Sequence, residues 1–167
     1  MKAAGIYWSM RWMLGTLMLA TAACAAGPQQ PVSDRAIEIA EQAIIVDTHI
    51  DVPIRLYFRW QDVTLATGSG DFDLPRAQAG RLNVPFMSIY VPSTYEQSGG
   101  GAQLAHQLID SVEAMAARTP DWEIATGVAE LRRHFAADKM SLAMGMENGT
   151  PLDGNLEQLQ RFYDRGV

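Results

Sequence analysis

Asp47, His49 and Asp51 stand at alternate positions in the stretch Ile44-Ile45-Val46-Asp47-Thr48-His49-Ile50-Asp51, directly after three β-branched residues. A β-branched run favours a buried strand. Side chains alternate along an extended chain, so the imidazole and both carboxylates are predicted to share one face where that strand ends. Nitrogen and carboxylate-oxygen donors together suit zinc or a similar divalent ion. A histidine between two aspartates also fits a salt-bridged turn without a metal, and the octapeptide alone leaves both readings open. A further acid, Glu147, follows a second apolar run, Met140 to Met146, in Glu147-Asn148-Gly149. Two independent strand ends carrying ligand-type residues favour the metal reading.

The elements that must position these residues follow from local signals. Ser33 is expected to cap a helix from Asp34 to about Gln42, with Ile37, Ile39, Ala40 and Ala43 on its apolar side. After Asp51, Val52-Pro53 should break regular structure, and Ile54 to Trp60 reads as a short packing helix or loop beside the site. Asp73 caps a short helix with Pro75 in its first turn, closed by Gly80. Asn83 to Val91 is a second strand, apolar on both faces, with Pro85 arguing against full pairing at its start. A Gly-rich turn at 99–101 leads into a long helix with Leu104, Leu108, Val112 and Met115 at helical spacing and Pro120 beyond its end. His106 lies off that stripe and reads as a solvated surface histidine. Thr126 is expected to cap a helix to about Ala137, Met140 to Met146 to form a third strand with methionines as core filler, and Asn155 to cap a helix with Leu156, Leu159, Phe162 and Tyr163 on its apolar side, stopped by Gly166. Strands alternating with helices predict an α/β fold of TIM type, a (β/α)8 barrel, whose active site lies at the C-terminal ends of the strands. About three strands are expected here. A complete barrel takes about 250 residues, so the 167-residue chain is expected to be the N-terminal part of one and inactive alone.

The chain is 48% hydrophobic and 19% charged, enough apolar material for one ordinary core. Residues 1–23 differ from the rest: Lys2 and Arg11 precede an uncharged apolar run from Trp12 to Ala23, too short for a comfortable membrane span and laid out as a secretory signal. Its end, Leu19-Ala20-Thr21-Ala22-Ala23-Cys24, resembles a bacterial lipoprotein signal in which Cys24 becomes the lipidated first residue; Thr21 replaces the usual Leu, and ordinary cleavage near Ala22 or Ala26 competes. The expected address is export, to the periplasm or to a bacterial membrane through a lipid on Cys24. Residues 24–32 form a polar tether, and 33–167 the folded domain. With one cysteine, no intramolecular disulfide is available. Loss of Lys2 and Arg11 moves the net charge from −6 to −8, and an acidic chain without a basic run argues against nucleic-acid binding.

Three blocks together resemble the membrane dipeptidases, also called renal dipeptidases. They are Asp47-Thr48-His49-Ile50-Asp51-Val52-Pro53; Phe72-Asp73-Leu74-Pro75-Arg76-Ala77-Gln78-Ala79-Gly80 with Phe86-Met87-Ser88-Ile89-Tyr90-Val91-Pro92; and Met146-Glu147-Asn148-Gly149 with Leu156, Leu159 and Tyr163-Asp164-Arg165-Gly166-Val167. Asn148 departs from the Gly usual in the family. The resemblance implies zinc-dependent hydrolysis of dipeptides at a binuclear centre with a bridging hydroxide. His49 and Asp51 would bind the first zinc, Glu147 would bridge both as the catalytic carboxylate, and Asp47 would orient a ligand or the strand end by hydrogen bonds. It also admits a homodimer. Two other readings stand beside it: another barrel amidohydrolase acting on amides, lactones or phosphoesters, and an exported fragment with no catalytic activity. The Asp at position 51 and the Phe-Asp-Leu-Pro-Arg block favour the dipeptidase, because many of the wider group open with His-x-His.

Overall fold

Three long strands and one short one make a parallel sheet in the computed structural model, which describes residues 31–167. They are β1 (Val46–Ile50), β2 (Val84–Ile89), β3 (Trp122–Ile124) and β4 (Met140–Met146), in the order β1-β2-β4-β3. Helix α1 (Asp34–Gln42) precedes β1, and between and after the strands run α2 (Val52–Phe58), α3 (Leu74–Ala79), α4 (Thr94–Ser98), α5 (Gly101–Ala116), α6 (Val128–Ala136) and α7 (Leu156–Asp164), with a 3-10 turn at Thr150–Leu152. Ser33–Val167 form one compact unit. The expected signal segment, Cys24 and most of the expected tether lie outside the described residues.

Local chemistry explains most element boundaries. Ser33 accepts a hydrogen bond from the N–H of Ala36, Asp73 from that of Arg76 and Asn155 from that of Glu157, so each predicted cap satisfies an otherwise orphaned helix donor. The α5 stripe packs as its spacing predicts: Leu104, Leu108, Val112 and Met115 are buried against Met87, Ile89 and Val91 of the β2 segment and Leu142 and Met144 of β4. Pairing of β2 with β4 begins at Phe86 opposite Ala143, one residue past Pro85, which has no N–H to offer the ladder.

Five expectations are corrected. The sheet has four strands rather than three. The extra one, β3, has three residues, too few for a periodic pattern, and is held by burial of Trp122 and by pairing of Trp122, Glu123 and Ile124 with Met140, Ser141 and Leu142. Among the described residues strand β1 is not buried: it pairs only with β2 and stands at the edge of this part of the sheet, and Val46 is 44% exposed. The apolar sides of α1 and α7 are likewise open, with Ile37, Ile39, Leu156, Leu159 and Tyr163 exposed and Phe162 the one buried member of the α7 stripe. Pro53 does not break the chain but sits in the first turn of α2, where a missing N–H costs nothing, and Val52, Pro53, Ile54 and Leu56 are buried. Helix α6 is capped at Gly127. Thr126 instead donates its N–H and hydroxyl to the Glu130 carboxylate, at 2.8 and 3.1 Å.

Candidate metal centre

Parallel pairing puts the C-terminal ends of β1, β2 and β4 side by side, and the ligand-type residues gather there. His49 is the penultimate residue of β1. The pairing of β1 with β2 is irregular between Asp47 and Ile50, a local bulge of the kind that re-aims a side chain. Asp51 occupies the cap position of α2, yet its carboxylate makes no cap hydrogen bond and turns to the histidine: His49 Nε2 lies 3.3 Å from Asp51 Oδ1. Glu147 follows the last residue of β4, and its Oε2 lies 3.4 Å from the same Nε2. One donor atom from each of the three residues lies within 4.8 Å of the others, and all three side chains remain open to solvent.

Asp47 does not join the trio. Its Oδ1 accepts a hydrogen bond from the backbone N–H of His49 at 3.1 Å, so it holds the main chain at the bulge. An open groove of about 490 Å³ runs beside His49 and Asp51, with Asp47, Asp71, Phe72 and Arg76 in its wall. The groove is shaped by Asp73, whose Oδ1 and Oδ2 accept from the Arg76 N–H and Nε (both 2.9 Å) and from the Thr67 N–H and hydroxyl (2.8 and 3.0 Å). Burial alone would raise the Asp73 carboxyl; the hydrogen bonds from Arg76 and Thr67 outweigh it and hold the group well below the usual carboxylate range.

The roles of two residues at the site escaped the sequence reading. Ser88, buried in β2, hydrogen-bonds Glu147 Oε2 at 3.2 Å; the signal was a lone hydroxyl in an otherwise apolar strand. Asn148 donates Nδ2 to the Val91 carbonyl at 2.8 Å and accepts from the Thr150 N–H at 3.0 Å, which ties the end of β4 to the segment after β2. Its side chain thus takes up a task that a glycine there could not perform.

The other two histidines are elsewhere. His106 is not solvated as expected: its ring stacks on Phe162 at 4.7 Å, and Arg165 reaches its Nδ1 at 3.2 Å. Burial first and the Arg165 charge second push its pKa below the ordinary value. His134 is 2% exposed and bridges Ser141 Oγ and Glu123 Oε2, both at 2.9 Å, toward the N-terminal end of the sheet.

Comparison with known proteins places this geometry. The family described as membrane dipeptidase (peptidase family M19) matches residues 33–167. The chain belongs to the membrane dipeptidase family. Dipeptidase 3 of Mus musculus is 30% identical over 139 residues, covering 80% of this chain and 27% of the relative. The chain therefore spans about a quarter of the length of the curated relatives it matches. Among solved structures, the probable dipeptidase PvdM from Pseudomonas aeruginosa superposes with a TM-score of 0.67 at 25% identity, covering 80% of this chain and 35% of that one. A metallo peptidase from Rhodobacter sphaeroides, liganded with a phosphinate mimic of the dipeptide L-Ala-D-Ala, superposes at 0.65 with 23% identity, covering 74% and 43%. The sheet, in the order β1-β2-β4-β3, is accordingly the N-terminal part of a TIM-type barrel. The family is one of metallopeptidases, and the donor set fits a divalent metal. One imidazole nitrogen and two carboxylates converge from three separate elements, and among the described residues no Lys or Arg is in ion-pair contact with them.

Proposed function

We propose that the protein carrying this chain hydrolyses dipeptides with a pair of zinc ions held in part by His49, Asp51 and Glu147. The observation that carries the reading is the convergence of those three side chains, within 4.8 Å, at the C-terminal ends of parallel strands. His49 offers Nε2, Asp51 offers a carboxylate released from capping, and Glu147 offers two oxygens. Its Oε1 has no hydrogen-bond partner among the described residues, which suits a carboxylate shared between two ions. Bound there, zinc would supply a Lewis acid for the scissile carbonyl and an acidified shared water as nucleophile near neutral pH. Asp47 steadies the ligand-bearing backbone, and the groove beside His49 and Asp51 is where a short peptide lies against Arg76 and Phe72. Export and attachment to a bacterial membrane through a lipid on Cys24 complete the proposal. Among the described residues no helix is long and apolar enough to cross a membrane.

The test is to change each ligand singly in the full-length protein, as His49→Ala, Asp51→Ala and Glu147→Ala. Each is expected to lower zinc content and to cut dipeptide hydrolysis by more than about 100-fold, beyond the ~10–100-fold typical of residues that only support a ligand. Full zinc content by elemental analysis in all three variants would sink the assignment.

A further inference from the structure

We propose that Ser88 is a positioning residue for Glu147, presetting the carboxylate before metal arrives; this rests on Glu147 being a ligand as read above. Ser88 is the single hydroxyl in the β2 sequence Val-Pro-Phe-Met-Ser-Ile, it is 3% exposed, and among the described residues its side chain has one hydrogen-bond partner, Glu147 Oε2 at 3.2 Å. A hydroxyl both donates and accepts, whereas an ionised carboxylate only accepts, so the Ser88 proton is committed to Glu147.

The strand register makes this contact. Ser88 pairs with Gly145, and Glu147 stands two residues further along, on the same face as Gly145. Gly145 adds no side chain on that face, where a Cβ would meet Phe86 Cδ1 at 3.7 Å. The backbone link between Glu147 and β2 is weak by comparison, its N–H lying 3.5 Å from the Ile89 carbonyl. Past the last ladder pair, Ile89 with Met146, the side-chain ties at this strand end among the described residues are the Ser88 hydroxyl on the carboxylate and the Asn148 amide on the Val91 carbonyl beyond β2.

The consequence is directional. Oε2 is the oxygen facing His49 Nε2, and a carboxylate oxygen has two lone pairs. With one directed at Ser88, the other is left toward His49 and Asp51, and the rotation that would swing the half-exposed carboxylate into solvent is restrained. A free glutamate loses rotamer freedom when it binds a cation; here part of that loss is met on folding.

Zinc dissociation constants, measured in the full-length protein by competition with a chromophoric chelator, decide the matter. Ser88→Ala is expected to weaken zinc binding about 10-fold, and Ser88→Thr, which keeps the hydroxyl, to stay within about two-fold. The Ser88→Ala change should have no further effect in a Glu147→Gln background, as a double-mutant cycle requires when one residue acts through the other. If Ser88→Ala fails to fold, Ser88→Cys carries the same test with a poorer donor. Parental zinc affinity in the Ser88 variant while Glu147→Gln weakens binding overturns the proposal, as does an undiminished loss in the Glu147→Gln background. Parental affinity in Glu147→Gln itself overturns the ligand reading instead.

Discussion

Asp73→Asn tests whether a charge away from the metal ligands holds the wall of the groove. Asp73 is 1% exposed and collects donors from both sides: the Arg76 N–H on Oδ1, and the Thr67 N–H, Thr67 hydroxyl and Arg76 guanidinium on Oδ2. The asparagine keeps an oxygen for the Arg76 N–H, so the helix cap, worth about 1 kcal/mol, is largely retained. What it loses is the charge, and its NH2 group then faces donors. Hydrogen bonds to a charged group contribute about 1.5–3 kcal/mol each, and breaking a buried pair costs about 3–5 kcal/mol. Arg76 is 46% exposed and can turn to water while keeping its bond to the Gly70 carbonyl, which reduces the loss. The expected destabilisation is about 2–3 kcal/mol for Asp73→Asn, and about 1 kcal/mol more for Asp73→Ala, which also removes the cap. Urea unfolding of the metal-free protein at pH 7 measures both. The sign with pH is set by the depressed folded-state pKa: the contribution is complete above the unfolded value of about 4 and is lost as pH falls through the folded one. The stability gap between parent and Asp73→Asn should therefore narrow on acidification below about pH 4. A gap under about 0.5 kcal/mol at pH 7, or one that widens in acid, refutes the reasoning.

Two further outcomes follow from single positions. Gly166 has φ +89°, and a Cβ there would lie 2.9 Å from Thr126 Cγ2, so Gly166→Ala should lower the thermal midpoint more than Gly99→Ala, where φ is +75° but space is open. The shared backbone strain is about 1–2 kcal/mol, and equal midpoints for the two variants would show that the Thr126 contact costs nothing. Cys24→Ala should release the protein from a bacterial membrane fraction, since several acyl chains anchor firmly where one does not; unchanged fractionation with an unmodified N-terminal mass in the parent would reject lipidation.

Short-range physics made much of the fold legible. The caps at Ser33, Asp73 and Asn155 depend on a side chain reaching two or three residues along its own backbone, and the α5 stripe depends on helical spacing alone, so both can be read without knowing what lies across the sheet. The apolar run Met140 to Met146 became a strand with those same limits for the same reason. Alternation put His49 and Asp51 at one strand end, and the sequence blocks tied them to Glu147.

Tertiary structure decided what depends on partners far along the chain. No local pattern marks β3, because a three-residue strand is specified by what it pairs with and by the burial of Trp122. An apolar run states that a strand is favoured, not that something covers it, and β1 turned out to stand at the edge of this part of the sheet. His106 looked solvated on its own helix and became half-buried only because α7 lays Phe162 and Arg165 over it. At the site, alternation made Asp47 and Asp51 equivalent; the bulge in β1 and the turn into α2 separated them, one onto the His49 backbone and the other toward its ring. The contact of Ser88 with Glu147 spans 59 residues, and it exists because the register of β2 on β4 sets Gly145 opposite Ser88. Residue types thus name the groups able to act, while register determines which of them meet, because a shift of one residue along a strand turns every side chain to the opposite face.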